Sequence, residues 1–191
     1  MTSFRNYHGY QGFLALTAIL AMGLSALGCV ANAGDDGAED PASGSEALTS
    51  NEKTAYEFFV GKGLKKYQAA AIVGNLIQES DVEPTAVEYG GGPGRGIAQW
   101  SVGGRWDHEY HDNVNWYAAK EGKSIHSLNL QLEFVWYELE TFSSYGLHDL
   151  KSASTISSAT IAFEDHFEGC GECDQSKRIA YAEDVLKAYG Q

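Results

Sequence analysis

Apolar side chains recur at helical spacing through most of the chain after residue 50. The clearest stretch runs from Leu128 to Leu139, where the apolar residues fall at i, i+4, i+7, i+8 and i+11. This spacing places them on one face of an amphipathic helix. No alternating apolar and polar run of five or more residues, flanked by turn signals, competes as a strand. We therefore predict a mainly α domain over residues 51–191.

Four other segments carry helix signals. Thr49 and Glu52 have the spacing of a capping box ahead of a first helix, which Gly61 and Gly63 end. The other helices are predicted over Lys65 to Glu79, over Ile156 to Phe167 behind a cap at Ser154, and from near Asp174 to Tyr189. Between the second helix and Leu128 lies a Gly- and Trp-rich segment, Glu88 to Asn115. Long irregular segments in compact domains are more often functional than not.

The start of the chain has the layout of a secretory signal peptide. Residues 13–28 are uncharged and mostly apolar, follow Arg5, and are shorter than the roughly 20 residues of a membrane span. Two cleavage sites compete. Residues 26–29 (Ala-Leu-Gly-Cys) resemble a bacterial lipobox, which predicts a signal peptide over 1–28 and a lipid on Cys29, whereas residues 31–33 (Ala-Asn-Ala) predict cleavage after Ala33. The lipobox is favoured because the apolar run stops at Cys29. We expect export, as a cell-envelope lipoprotein on the periplasmic or outer-membrane face or as a secreted protein.

Residues 29–50 are predicted to form a flexible acidic linker. The stretch 34–50 holds five acids, no basic residue and no aromatic residue, so it cannot bury enough surface to offset the entropy cost of ordering. The whole chain holds 13 basic and 26 acidic residues, a formal charge of −13. This charge argues against a nucleic-acid partner, because phosphate binding needs clustered Lys and Arg.

Cysteine and histidine spacing predicts no metal site and no cofactor. Apart from Cys29, the chain has only the pair Cys170 and Cys173. Export favours a disulfide between them over free thiols or metal ligands. His108 and His111 are three residues apart, which is not the spacing of a zinc protease motif, and a solvated polar face explains them better.

One carboxyl group stands out by its position. Glu79 ends the predicted helix of Lys65 to Glu79, whose apolar side precedes it. The negative end of the helix dipole and an apolar neighbourhood both disfavour ionisation. A glutamic acid that keeps its proton can act as the general acid in glycoside hydrolysis. By spacing alone, a solvated acid at a helix end is the simpler interpretation.

Several ordered motifs resemble the phage tail lysozyme family. They are Ile72 to Ser80 (IVGNLIQES), Glu83 to Val87 (EPTAV), Gly96 to Trp100 (GIAQW), Gly104-Arg105, Gln131 to Leu139 (QLEFVWYEL) and the closing segments Ala162-Phe163, Phe167-Glu168 and Arg178 to Ala182. The resemblance covers nearly all of residues 52–190. It implies a lysozyme-like helical fold, with the Gly- and Trp-rich segment as the cleft, that cleaves the β-1,4 bond between N-acetylmuramic acid and N-acetylglucosamine in peptidoglycan. It also implies that Glu79 is the catalytic acid.

The same resemblance points to a sugar-binding segment. Gly96 to Gln99 are similar to the Gly-x-x-Gln segment that lines the cleft in related lysozymes and lytic transglycosylases. Gln99 offers a donor and an acceptor to an N-acetyl group or a hydroxyl. Trp100 and Tyr89 are candidate faces for a sugar ring, with core packing an equal interpretation of Trp100. Arg105 is expected to pair either with a substrate carboxylate or with Asp107 or Glu109 on the surface.

The second catalytic carboxylate is open at this point. Glycosidases of both stereochemical classes generally use two, and Asp81, Glu88 and Asp107 are the candidates. If none serves, a single Glu can act with the substrate's own groups, as in lytic transglycosylases, which form anhydro products. Three functions therefore compete: a peptidoglycan-cleaving enzyme, an inactive peptidoglycan-binding lipoprotein, and an interaction module or inhibitor on the same scaffold. Glu79 within its motif favours the enzyme, whereas a charge of −9 over residues 51–191 (12 basic and 21 acidic) fits anionic peptidoglycan poorly.

Overall fold

The computed structural model describes residues 48–170 and 173–191. The predicted signal peptide, its lipidation site Cys29, the alternative cleavage site and nearly all of the predicted linker lie outside these residues, and the domain boundaries stay predictions. Within the described ranges, no helix combines the length and the apolar character that a membrane span requires.

The described part of the chain is mainly α-helical, as the sequence predicts. Its α-helices are α1 (Ser50–Gly61), α2 (Lys66–Ser80), α3 (Val114–Glu121), α4 (Leu128–Thr141), α5 (Leu147–Ser152), α6 (Ile156–Phe163) and α7 (Gln175–Tyr189). A π-helical turn, Glu164–Glu168, continues α6. A minimal antiparallel hairpin pairs β1 (Gly94–Arg95) with β2 (Trp100–Ser101) inside the Gly- and Trp-rich segment.

The strongly periodic helices match their predictions. The capping box is confirmed at the start of α1, where Thr49 and Glu52 each bond the other's backbone N–H, and α2, α4 and α7 begin and end within two residues of the predicted bounds. The cap of α6 is a correction: Thr155, rather than Ser154, accepts a hydrogen bond from the Ser158 N–H at 3.1 Å. The short helices α3 and α5 are not in the prediction.

Helix α2 is the buried centre of the domain, with α1, α6 and α7 packed around it. Every residue from Gln68 to Ile77 is buried. At Gly74 the backbones of α2 and α7 approach so closely that a Cβ would lie 2.5 Å from the Ala182 nitrogen. The missing side chain therefore allows α7 to lie directly against the last turns of α2, beside Glu79.

The Gly- and Trp-rich segment is tied to the end of α2 by side chains of the helical core. The Ser80 hydroxyl donates to the Ile97 carbonyl at 2.9 Å. Gln131, buried in α4, accepts from the Ile97 N–H at 3.0 Å and donates to the Pro84 carbonyl at 2.8 Å. These bonds fix the loop that carries Gly96 and Gln99 next to the C-terminal end of α2.

Candidate active site

A cavity of ≈ 430 Å³ lies where the end of α2 meets the Gly- and Trp-rich segment. Its volume is within the range of small-molecule sites. It brings together Glu79 and Gln99, which lie in separate motifs of the sequence. The lining residues are Glu79, Ala98, Gln99, Trp100, Ser101, Gly104, Arg105, Glu168 and Cys170.

Glu79 is in the last turn of α2, and its side chain is 19% exposed. Its Oε1 accepts a hydrogen bond from Arg178 Nη2 at 2.6 Å. The expectation of a mainly apolar neighbourhood is therefore corrected, because a guanidinium group from α7 reaches this carboxyl. An adjacent positive charge stabilises the ionised form of a carboxyl group and opposes the effects of the helix dipole and of burial.

Arg178 is only 3% exposed and is held from several sides. Its Nε donates to the Cys173 carbonyl at 2.6 Å, and its Nη1 donates to the Asn75 side-chain oxygen at 3.2 Å. Asn75 is itself fixed by a bond to the Thr160 carbonyl at 3.2 Å. Sequence reasoning missed Arg178, whose contact with Glu79 depends on the close approach of α2 and α7 at Gly74.

A second Arg–Glu pair reaches the cavity through Arg105. Arg105 Nε and Nη2 donate to the two carboxylate oxygens of Glu138 at 2.7 and 2.8 Å, and the Trp100 indole donates to the same carboxylate at 3.1 Å. Burial raises the pKa of Glu138, while the bonds from Arg105 and Trp100 act in the opposite direction. The predicted surface pair of Arg105 with Asp107 or Glu109 is therefore wrong, because Arg105 turns inward to a buried acid on α4.

Glu168, at the end of the π-helical turn, is the cavity carboxyl that sequence reasoning missed. Its Oε1 is buried and has no hydrogen-bond partner among residues 48–170 and 173–191. Burial first, and then the charge of Glu79, raise the pKa of Glu168 to about 8, against the lowering effect of Arg105 and Arg178. The only sequence signal for it is its place in the closing Phe167-Glu168 segment.

Gly96 and Gln99 adopt left-handed backbone conformations, with φ of 67° and 47°. A Cβ at Gly96 would lie 2.7 Å from Gln131 Oε1, so the tight turn requires glycine. Gln99 has a side chain and lacks the conformational freedom of glycine, so its left-handed backbone conformation stores strain. Its side-chain nitrogen donates to the Gly96 carbonyl at 3.1 Å, which holds the amide at the cavity wall.

The two predicted aromatic platforms differ in their placement. Trp100 borders the cavity, but it is 1% exposed and packs against Phe134 and Trp106 with ring centroids 5.6 and 6.4 Å apart. This burial favours the packing interpretation of Trp100. Tyr89 is fully exposed on a short helical turn, Tyr89–Gly91, and is not among the lining residues. Its role in sugar binding stays a prediction.

The three predicted candidates for a second carboxylate are exposed and are not lining residues of the cavity. Asp81 is the left-handed C-cap of α2. Glu88 accepts from the Gly94 N–H at 2.9 Å, and Asp107 accepts from the Gly103 N–H at 2.7 Å, so both stabilise local turns. The structure brings Glu168, and none of these three, into the cavity with Glu79.

Cys170 and Cys173 form a disulfide, as the sequence predicts. The bond closes the loop between the π-helical turn and α7, and Cys170 lines the cavity. The Glu164 carboxylate lies within 4.8 Å of both sulfurs. Because the sulfurs are bonded to each other, they are not available as thiolate ligands for a metal ion. His108 and His111 lie in the irregular segment before α3 and do not share a helix face.

Comparison with known proteins identifies the family of this chain. The model of the phage tail lysozyme family matches residues 50–189, which span all seven described helices. No curated protein matches the sequence. The family match indicates a lysozyme-like enzyme that degrades peptidoglycan. The chain belongs to the phage tail lysozyme family.

Proposed function

We propose that this protein is a glycosidase that cleaves the β-1,4 bond between N-acetylmuramic acid and N-acetylglucosamine in peptidoglycan, with Glu79 as the general acid. One observation carries the proposal: Glu79 and Gln99, which lie in two different motifs of the family, line the same cavity. The amide of Gln99 is suited to an N-acetyl group or a sugar hydroxyl. Glu79 stands beside it at the end of a rigid, buried helix, where a carboxyl can be held in one geometry.

The contact with Arg178 sets a condition on this role. Glu79 must carry a proton to protonate the leaving-group oxygen, whereas the guanidinium 2.6 Å away stabilises the negative charge. The general-acid role therefore requires that a bound sugar loosen the contact between Glu79 and Arg178. The partial exposure of Glu79 leaves its carboxyl accessible from the cavity.

Hydrolysis is the proposed reaction, and formation of an anhydro product is the alternative. Hydrolysis generally uses two carboxyl groups, one protonated and one ionised, and Glu168 shares the cavity with Glu79. A lytic transglycosylase needs only one carboxyl group. Mass spectrometry of the released fragments distinguishes the two reactions, because reducing and anhydro ends differ by one water.

The test of the function is release of muropeptides from purified cell walls. We expect Glu79→Gln to lower the rate by about 10³-fold, since Gln keeps the shape of the side chain but has no acidic proton. Glu83→Gln is the matched control, because it removes the same charge from an exposed side chain that bonds Thr85 outside the cavity.

Two outcomes would oppose the proposal. Full activity in Glu79→Gln would show that Glu79 is not the general acid. Binding to cell walls without release at any pH or salt concentration would favour an inactive peptidoglycan-binding protein.

We also propose that the protein is exported and anchored through Cys29. The support is the sequence alone, namely the uncharged run that ends at a lipobox-like tetrapeptide. The intact mass of the membrane fraction tests this. A diacylglyceryl group on Cys29 supports the anchor, and a mature chain that begins at Gly34 contradicts it.

A further inference from the structure

Glu168 has the surroundings of a carboxyl that keeps its proton. Its Oε1 is buried without a hydrogen-bond partner in the described part of the chain, yet the side chain lines a cavity open to substrate. An ionised carboxylate with one oxygen in such a position would lose part of its hydration without compensation. The neutral acid avoids most of that cost.

Among residues 48–170 and 173–191, the charged groups around Glu168 do not supply a free counter-ion. Four of them influence it: Glu79 on α2, Glu138 on α4, Arg105 from the loop and Arg178 on α7. Arg105 is engaged by both oxygens of Glu138, and Arg178 is engaged by Glu79. Each guanidinium therefore already pairs with its own carboxylate. Glu168 is a third carboxyl group beside only these two cations.

We propose that Glu168 is the second carboxyl group of the reaction, and that in the free enzyme it holds the proton that Glu79 passes to the leaving oxygen. This inference rests on the proposed glycosidase function, because it names the source of the proton that Glu79 delivers. Glu79 and Glu168, which line the same cavity, are then the pair of carboxyl groups that glycoside hydrolysis generally uses.

The proton balance of the reaction follows from this pair. As the C1–oxygen bond of the glycoside breaks, the pair gives its single proton to the leaving oxygen, and both carboxyls are then ionised. Water adds its hydroxyl to C1, and its remaining proton returns to the pair. The enzyme regains its starting state, and the net reaction consumes one water per bond.

The test compares two Glu→Gln substitutions on the same π-helical turn. Glu168→Gln mimics the shape of the protonated acid but cannot give up a proton. We expect it to lower kcat/KM for cell-wall release by about 100-fold. Wild-type activity should fall as pH rises through about 8, the pKa of Glu168, and this decline should be absent from the residual activity of Glu168→Gln.

Glu164→Gln is the matched control. Glu164 is also buried on this turn, its Oε2 is unpartnered in the described residues, and burial raises its pKa, but it does not line the cavity. The control should keep both the rate and the decline above pH 8. A Glu168→Gln variant with the wild-type rate and pH profile would overturn the inference, since a purely structural neutral group tolerates this change.

A second measurement does not depend on activity. The unfolded chain releases the Glu168 proton near pH 4.5, whereas the folded chain keeps it to about pH 8. Stability from this group is therefore fully present below pH 4.5 and is lost as pH rises through the folded pKa. Chemical denaturation should show that the wild type loses stability over this range more steeply than Glu168→Gln, by about one proton in the slope.

The two proposals fail in different ways. Equal slopes in the wild type and Glu168→Gln would overturn the proposal that Glu168 holds a proton, even in an active enzyme. A wild type that releases nothing from cell walls would overturn the glycosidase function, whatever the slopes.

Discussion

Two Arg–Glu pairs each contribute one residue to the lining of the cavity, Glu79 and Arg105, and they differ in how many hydrogen bonds the carboxylate accepts. Glu138 is 1% exposed and accepts three hydrogen bonds, two from Arg105 and one from the Trp100 indole. Glu79 accepts one bond, from Arg178, and is 19% exposed. The first carboxylate has little capacity left for a ligand, whereas the second has an oxygen that accepts no hydrogen bond from the described residues.

The difference indicates how to separate a structural ion pair from one that serves chemistry. Arg105 is further enclosed by Tyr145 and Phe167, whose ring centroids lie 4.6 and 4.4 Å from the guanidinium carbon. Such a pair fixes the wall of the site, and its loss costs stability. Arg178 is enclosed as tightly, but its partner is not, so the Glu79 carboxyl can exchange a protein contact for a substrate contact.

The largest effect on stability is expected from Glu138→Gln. The change removes the charge partner of Arg105, and one amide oxygen must replace two carboxylate oxygens that receive three bonds. We expect the free energy of unfolding to fall by about 3 kcal/mol, the usual cost of breaking a buried pair from one side. Urea denaturation measures it.

Glu79→Gln is the comparison for this prediction. Its carboxyl is partly exposed, and Arg178 keeps its bonds to Cys173 and Asn75. We expect a loss of roughly 1 kcal/mol in stability, with the large loss in activity instead. Equal destabilisation by the two variants would show that both carboxylates are structural.

Sequence patterns predict the helices of this fold well where an apolar face spans several turns. Helix α4 is the clearest case, because its apolar face continues from Leu128 to Leu139 in a helix of 14 residues. Helices α3 and α5 have eight and six residues, too few to establish a period. Their formation depends on packing against the core that the longer helices build, which a local pattern does not contain.

The candidate site is predictable only in part, for a related reason. Glu79 and Gln99 lie in local motifs, and their positions along the chain identify them. Arg178 and Glu168 acquire their importance from long-range contacts, since Arg178 meets Glu79 across a separation of 99 residues. Their contact requires the close crossing of α2 and α7, and no pattern within either segment encodes it.

Gly74→Ala tests whether the crossing of α2 and α7 positions the pair of Glu79 and Arg178 without affecting the pair of Arg105 and Glu138. A Cβ would lie 2.5 Å from the Ala182 nitrogen and 2.7 Å from the Arg178 carbonyl oxygen, both backbone atoms. We expect a stability loss of about 2 kcal/mol, because α7 must shift away from α2. The shift also displaces Arg178, so cell-wall cleavage should fall, while the pair of Arg105 and Glu138 is not involved.

Gly61→Ala is the matched control. It lies at the end of α1, where an added Cβ meets nothing within 4 Å. Alanine is the better helix former, so stability should stay level or rise slightly. If Gly74→Ala behaved like this control, α7 would not be in the tight contact on which the position of Arg178 depends.

The smallest effect on cleavage is expected from loss of the disulfide, whose loop contacts Arg178. Cys170 and Cys173 close a loop of only four residues, and loop-closure entropy gives about 2 kcal/mol at most for so short a loop. The Cys173 carbonyl accepts from Arg178 Nε at 2.6 Å, so a looser loop also weakens the hold on Arg178. The double variant Cys170→Ser, Cys173→Ser should therefore lose less than about tenfold in cleavage rate, and reductant should slow the wild type equally. Unchanged cleavage in both would mean that Asn75 and Glu79 suffice to hold Arg178, because the helix contacts would then fix the guanidinium without the loop.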